Sequence, residues 1–279
     1  SMPPKIRILV CGVLPPPYFG HSKMYEMLMA SSFSRDFDTH FLNMHFWSYQ
    51  TDKKVTLRKV GKMLKYYFQY LGQILSFRPK YILYNISFYK MPFLKDLFFC
   101  GTGILLRRKI VFHDFGQYVS ELHAALPSWQ KAALRWMLRH SAASIVMGEC
   151  VKKVYDGLMS PEKLFVVPGV VEDTKELNVP PREKHGPTIL YFSYMSESKG
   201  IFVAFEAASR LLQKQPGIRM IFGGPLENER VTEGLKALQD QFPGGVEYLG
   251  YVEDVGERTR IFRGADVFIF PTLRDVFGL

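Results

Sequence analysis

FIFPTLRDVFGL, residues 268–279, decides how this chain is read. Residues 267–270 are an apolar run rich in β-formers and closed by Pro271, which reads as a buried parallel strand. A short polar turn with Arg274 and Asp275 follows, then Phe277-Gly278-Leu279. A strand, a tight turn and a glycine lead into a helix whose free N–H groups hold an anion. The expected helix lies beyond Leu279, so the sequence stops at the rim of the pocket it would complete.

Outward from that strand, apolar runs alternate with amphipathic segments almost throughout, the pattern of doubly wound α/β domains. In the second half, 188–192 is a strand and 200–213 a helix with apolar positions three and four apart. Residues 218–222 form a strand ending in Gly223-Gly224-Pro225, and 246–249 a strand leading to Gly250. In the first half, strands are expected at 6–11, 81–84, 110–113, 144–147 and 164–167. A helix over 128–139 places Trp129, Ala132, Ala133, Trp136 and Met137 on one face. Residues 172–187 turn polar and carry Pro180, Pro181 and Pro187, as a linker does. The expectation is a Rossmann-like domain over 3–171, a linker over 172–187 and a second Rossmann-like domain over 188–279. Two such domains would face a cleft lined by strand carboxyl ends.

With 279 residues and 47% hydrophobic content the chain can bury two cores. Cys11, Cys100 and Cys150 are far apart and lack metal-ligand spacing, so a reduced, cytoplasmic protein is expected. No stretch approaches about 18 uninterrupted apolar residues, the length of a spanning helix. The best candidate, 91–106, is broken by Lys95 and Asp96, and the first apolar run reads as a strand rather than a signal peptide. The net charge of +10 is uneven: 1–172 hold 23 basic and 11 acidic residues, whereas 173–279 hold 13 and 15. Residues 53–95 contain ten basic side chains and no acidic one, which points the first domain toward a polyanion or an anionic membrane.

Four blocks in the second half occur in a telling order: TILYFSYMSESKG, MIFGGPL, VEYLGYVED and RGADVFIFPTLRDVFGL. Together they resemble the retaining GT-B-fold glycosyltransferases of family 4, the glycosyl transferases group 1. The resemblance implies two Rossmann-like doubly wound domains facing a cleft, the second incomplete at Leu279. It implies transfer of a sugar from a nucleotide-diphosphate donor, which is a co-substrate, with no cofactor and no metal. Lys199 matches the family lysine that neutralises the departing diphosphate. Tyr194 stands where the family has an arginine and supplies a hydrogen bond but no charge. Arg274, beside the donor loop, is the candidate to supply that charge. Gly250, Tyr251 and Val252 match the element that holds the nucleobase, and Gly224 ends a donor-side strand. Asp275 matches the first acidic position of the paired-glutamate motif, one methylene shorter. The second carboxylate would lie beyond Leu279. Phe277, Gly278 and Leu279 correspond to the loop whose backbone N–H groups face sugar or phosphate.

The first half carries the resemblance more loosely. Gly20, in PPPYFGHS, takes the place of the glycine loop near the donor, and His113 that of a histidine touching the transferred sugar. Pro168-Gly169-Val170 stands where the family shows Asn-Gly-Val at the domain boundary. Family members act without an obvious enzymatic nucleophile, so no catalytic base is expected.

Taken as a helix, 55–76 puts Val60, Leu64, Tyr67, Leu71 and Leu75 in one stripe, with Arg58, Lys62 and Lys65 opposite. Two readings stand and are compatible. The stripe packs on the sheet with the lysines in water, or the basic face meets the headgroups of an anionic bilayer. Gly61 and Gly72 argue against one unbroken helix. The overall expectation is a cytoplasmic transferase, peripheral at the inner face of the membrane where it meets one, acting on a lipid-linked or polysaccharide acceptor. Shortened at Leu279, this chain would have weak or no activity. The rival is a catalytically inactive protein of the same fold that binds sugar nucleotides or glycans. No nucleic-acid recognition motif is present, and no nucleic-acid partner is expected.

Overall fold

Short apolar runs, each followed by an amphipathic segment, fold here as parallel strands joined by helices. The computed structural model describes residues 4–16, 20–45, 57–88, 90–116, 118–170, 173–175, 177–183 and 186–273. The chain divides into two compact units, Ser1–Val171 and Glu172–Asp275.

The first unit runs β1 (Arg7–Gly12), α1 (Gly20–Ala30), α2 (Phe33–Asp36), β2 (Asp38–Asn43), α3 (Leu57–Ser76), β3 (Tyr81–Ile86) and α4 (Lys90–Leu105). It continues through β4 (Lys109–Asp114), α5 (Val119–Ala125), α6 (Ser128–His140), β5 (Ala143–Val146), α7 (Glu149–Lys152) and β6 (Leu164–Val166). All strands are parallel, in the order β2-β1-β3-β4-β5-β6. Helices cover both faces, which is why Leu9, Val10 and Cys11 of β1 read as one apolar run and are all fully buried. One face packs under Tyr25, Leu28 and Phe33, and the other under α3, α4 and α6 through Tyr70, Ile74, Phe99 and Met137. Strand order reverses between β1 and β3, the place where such sheets open a crevice at their carboxyl ends.

Three expectations for this unit need correction. β2 was not foreseen: Asp38, Thr39 and His40 are polar, and as an edge strand it buries only Leu42. In α6 the expected face is right in part: Met137 is buried and Ala133 and Trp136 pack against the core, joined by Leu134 and Leu138, while Trp129, in the first turn, is exposed. α3 is continuous through Gly61 and Gly72, whose missing side chains face open space. It packs through Met63, Tyr66, Tyr67, Tyr70 and Ile74 rather than through Val60, Leu64 and Leu75, which are exposed. The aromatic row wins because it finds partners on α4. The Tyr67 hydroxyl lies 2.8 Å from Thr102 Oγ1, and the Tyr70 ring lies 5.2 Å from that of Phe99.

The 91–106 segment is the body of α4. Asp96, which breaks its hydropathy, is fully buried but satisfied. Its carboxylate accepts from the Tyr84 hydroxyl at 2.8 Å and the Ser87 amide at 3.1 Å, and pairs with Lys95 at 2.7 Å.

The second unit runs β7 (Thr188–Phe192), α8 (Ile201–Lys214), β8 (Arg219–Gly223), α9 (Glu229–Gln241), β9 (Val246–Tyr248), α10 (Val255–Gly264) and β10 (Val267–Phe268). Its strands are parallel in the order β10-β7-β8-β9. α8 and α9 pack on one face through Ala204, Phe205, Val231 and Leu235, and α10 on the other through Ile261. Side chains open two of these helices: Asn228 accepts from the Val231 amide and Asp254 from that of Glu257. Strand order reverses between β7 and β10. The expected buried strand over 267–270 is thus only partly right. It is parallel, but two residues long and half exposed, because among the described residues β7 is its one partner in the sheet.

Candidate active site

In the second unit the loops leaving β7, β8 and β9 are bound to one another by backbone. Ser193 N–H donates to Gly223 O at 3.0 Å, Met195 N–H to Pro225 O at 2.9 Å, and Gly224 N–H to Gly250 O at 2.8 Å. Gly224 has φ +121°, and a Cβ there would stand 1.9 Å from the Ser193 carbonyl oxygen. Only glycine allows that approach. The Tyr248 hydroxyl donates to the Gly224 carbonyl at 3.0 Å. One rim therefore gathers Tyr194, Gly224, Gly250 and the half-exposed Tyr251, while Val252 tucks against the Leu190–Ile221–Ile261 cluster. Burial, and then the Glu227 carboxylate, push the Tyr194 hydroxyl above its usual pKa, so it is neutral at pH 7.

Lys199 sits at the strand-order reversal. The Ser196 hydroxyl accepts from its amide at 3.3 Å, closing a single 3₁₀ turn, Glu197–Lys199. Gly200, at φ +73°, then starts α8, and a Cβ there would meet the Pro271 carbonyl oxygen at 1.9 Å. Leu273 N–H donates to Ser198 O at 3.0 Å, tying the segment after β10 to the same turn. The Lys199 ammonium lies 5.7 Å from the Phe270 ring centroid, a cation–π contact that positions it. A cation at the head of a fourteen-residue helix, at the carboxyl end of the sheet, suits a group on which negative charge develops.

In the first unit Gly20 is the first residue of α1, and His113 lies next to last in β4. His113 packs at 4.2 Å from the Phe115 ring and edge-on to Tyr25 at 5.4 Å, while His21 reaches Phe115 at 5.7 Å. Among the described residues, His113 Nδ1 and the Tyr25 hydroxyl are buried without a hydrogen-bond partner. Next door, Asp114 accepts from the Tyr155 hydroxyl at 2.6 Å and the Gly116 amide at 2.8 Å. Burial raises its pKa against the pull of those two donors.

Burial, reinforced by His21, pushes the His113 pKa from 6.5 down to about 4. The unfolded chain takes up this proton first, so its contribution to stability is complete above about pH 6.5 and is lost as pH falls toward about 4. The loss totals about 3 kcal/mol, since each pKa unit is worth about 1.4. Chemical unfolding of His113→Phe between those pH values is expected to lose roughly 1 kcal/mol less per pH unit than the parent protein. Equal slopes would remove His113 from the account.

Tyr194, Lys199, Gly224, Gly250, Tyr251 and Val252 thus stand at the carboxyl ends of the second sheet, and Gly20 and His113 at those of the first. Arg274, Asp275, Phe277, Gly278 and Leu279 lie outside the described residues. Sequence reasoning missed His21, Tyr25, Asp114 and the Ser196 cap. Only Ser196, three residues before Lys199, carried a local signal. A cavity of about 270 Å³ at the opposite end of the second sheet holds the Arg182–Glu247–Arg219 ion pairs. Among the described residues no three His, Cys, Asp or Glu side chains cluster as a metal site would require.

Residues 186–279 match the family described as glycosyl transferases group 1. The fold is similar to that of trehalose-6-phosphate synthase OtsA, with TM-score 0.70 and 14% identity over 98% of this chain and 80% of that one. The catalytic domain of starch synthase IV from Arabidopsis thaliana, bound to ADP and acarbose, gives TM-score 0.67 and 10% identity over 99% and 80%. Anabaena Alr3699/HepE in complex with UDP-glucose gives 0.60 and 12% over 97% and 75%. No curated protein matches the chain in sequence. Residues 186–279 thus match a glycosyl transferases group 1 domain, and the chain has an α/β, parallel-sheet fold like that of GT-B glycosyltransferase structures. Among the described residues no helix is long and apolar enough to cross a membrane.

Proposed function

We propose that this protein is a retaining glycosyltransferase that moves a sugar from a nucleotide-diphosphate donor to a lipid-linked or polysaccharide acceptor. We assign the donor to the second unit and the acceptor to the first. The observation that carries the reading is Lys199, held over the Phe270 ring at the head of α8 where β7 and β10 diverge, at the same carboxyl end of the sheet as the joined backbone of Gly224 and Gly250. As the sugar–phosphate bond breaks, the ammonium and the first amides of α8 meet the charge building on the leaving diphosphate. ADP and UDP-glucose in two proteins of similar fold favour a nucleotide donor. The excess of basic residues in 1–172 favours an anionic or lipid-linked acceptor.

Tyr194, neutral where a cation is the rule, favours the rival of a binding protein without turnover. A thermal-shift series with UDP-, GDP- and ADP-sugars, followed by transfer assays, separates the two. One donor at about a hundred times its Kd should stabilise the fold by roughly 2.7 kcal/mol, a rise of several degrees. A selective shift with transfer supports the enzyme, and a shift without turnover supports the rival. No shift with any nucleotide sugar sinks both.

A further inference from the structure

We propose that the outer face of α3 and α4 is a docking surface for an anionic lipid bilayer, a deepening of the transferase reading above. At about 100° per residue, α3 sorts into three faces. Met63, Tyr67, Tyr70 and Ile74 pack on the sheet, and Arg58, Lys62 and Lys65 form a basic face. Between them runs a third row, Leu57, Val60, Leu64, Phe68 and Leu75, open to solvent: Leu57 is 91% exposed and Phe68 66%. α4 adds a parallel row of Leu94, Phe98 and Leu105, with Phe98 64% and Leu105 75% exposed. The two rows meet at Tyr67, whose ring lies 6.3 Å from that of Phe68 and 5.6 Å from that of Phe98. This makes one continuous apolar patch rather than scattered surface residues.

Charge decides what covers it. Along α3 the charged side chains are Arg58, Lys59, Lys62 and Lys65, and none is acidic. Two copies of this face would oppose like charges, whereas anionic headgroups complement them while the apolar row enters the acyl boundary. Crossover helices run antiparallel to their strands, so Leu57 and Leu94 lie toward the sheet end that carries His113. A bilayer seated on this face would present a lipid-linked acceptor at that rim.

The test is co-sedimentation with phosphatidylcholine vesicles, with and without phosphatidylglycerol, in low and high salt. The protein is expected on the mixed vesicles and not on the neutral ones. Phe68→Ser and Phe98→Ser should each weaken binding about tenfold. Lys62→Gln and Lys65→Gln should each weaken it roughly fivefold, and only at low salt. All four positions are at the surface, so unchanged melting temperatures serve as the folding control. Binding indifferent to phosphatidylglycerol, or to the phenylalanine variants, overturns the proposal. So does a dimer that Phe68→Ser dissociates, or salt-sensitive capture of RNA with no vesicle binding. The donor-induced thermal shift is measured without lipid. A shift with no vesicle binding removes the surface and leaves the transferase. Vesicle binding with no donor response does the reverse.

Discussion

Under the proposed function, replacing Lys199 by alanine is expected to lower the rate of glycosyl transfer by about two to three orders of magnitude and to leave the fold intact. The size follows from the charge it meets, since removing one preorganised group that faces developing charge costs about 3–4 kcal/mol of transition-state stabilisation. The specificity follows from its setting. The ammonium's contact with the Phe270 ring is worth about 0.5–1 kcal/mol at an accessible site, so little stability depends on it. The turn that presents it is held by backbone and by Ser196. The loss should therefore fall on kcat, with the melting temperature moving only a few degrees. Lys199→Arg, which keeps the charge but not the shape, should recover part of the rate. The measurement is steady-state transfer in the active protein, and an undiminished kcat in Lys199→Ala would falsify the role given to this residue.

Gly224→Ala is expected to be among the most damaging single-methyl changes in the second unit, with Gly200→Ala. The added carbon would fall 1.9 Å from the Ser193 carbonyl oxygen, at a φ of +121° that side chains avoid. Neither contact can relax cheaply. Ser193 is fixed by its bond to Gly223, and Gly224 by those to Gly250 and Tyr248. The cost is of the order of 4 kcal/mol or more, the range reached when a special backbone position is broken. For a unit of this size that lowers the melting temperature by more than about 15 °C. Gly217→Ala is the matched control, since its added methyl meets nothing within 4 Å. Similar melting curves for the two variants would mean that the loops are less tightly joined than their hydrogen bonds indicate.

How much of this was legible in the sequence depended on what each residue faces. Strands covered on both sides were plain: 188–192 coincides with β7, and the runs at 6–11 and 110–113 fall on β1 and β4. Polar edges were not. β2 hid behind Asp38 and His40, and β10 shrank to two residues because its burial depends on neighbours no local pattern records. α3 was placed to within two residues, but of its expected stripe Tyr67 packs on the core whereas Val60, Leu64 and Leu75 are exposed. Two apolar rows run along it, and periodicity alone cannot say which meets the sheet. In the second unit, motif order singled out Lys199, Gly224 and Gly250, and the structure places all three at the carboxyl ends of one sheet, with Gly224 bonded to Gly250. The His21–Tyr25–His113–Phe115 cluster was not singled out, because its members come from distant parts of the sequence and meet only through the fold.

Asp96 carries one more consequence. Its carboxylate is met at one axial position of α4, by the Tyr84 hydroxyl and the Ser87 amide. A slide of the helix by one turn, about 5.4 Å, would strand a charge in the core without those donors. An otherwise greasy helix thus has a fixed station along the sheet. Asp96 acts as the detent that sets how far Leu94 and Phe98 stand from the rim bearing His113, and so the height at which a lipid surface would meet it.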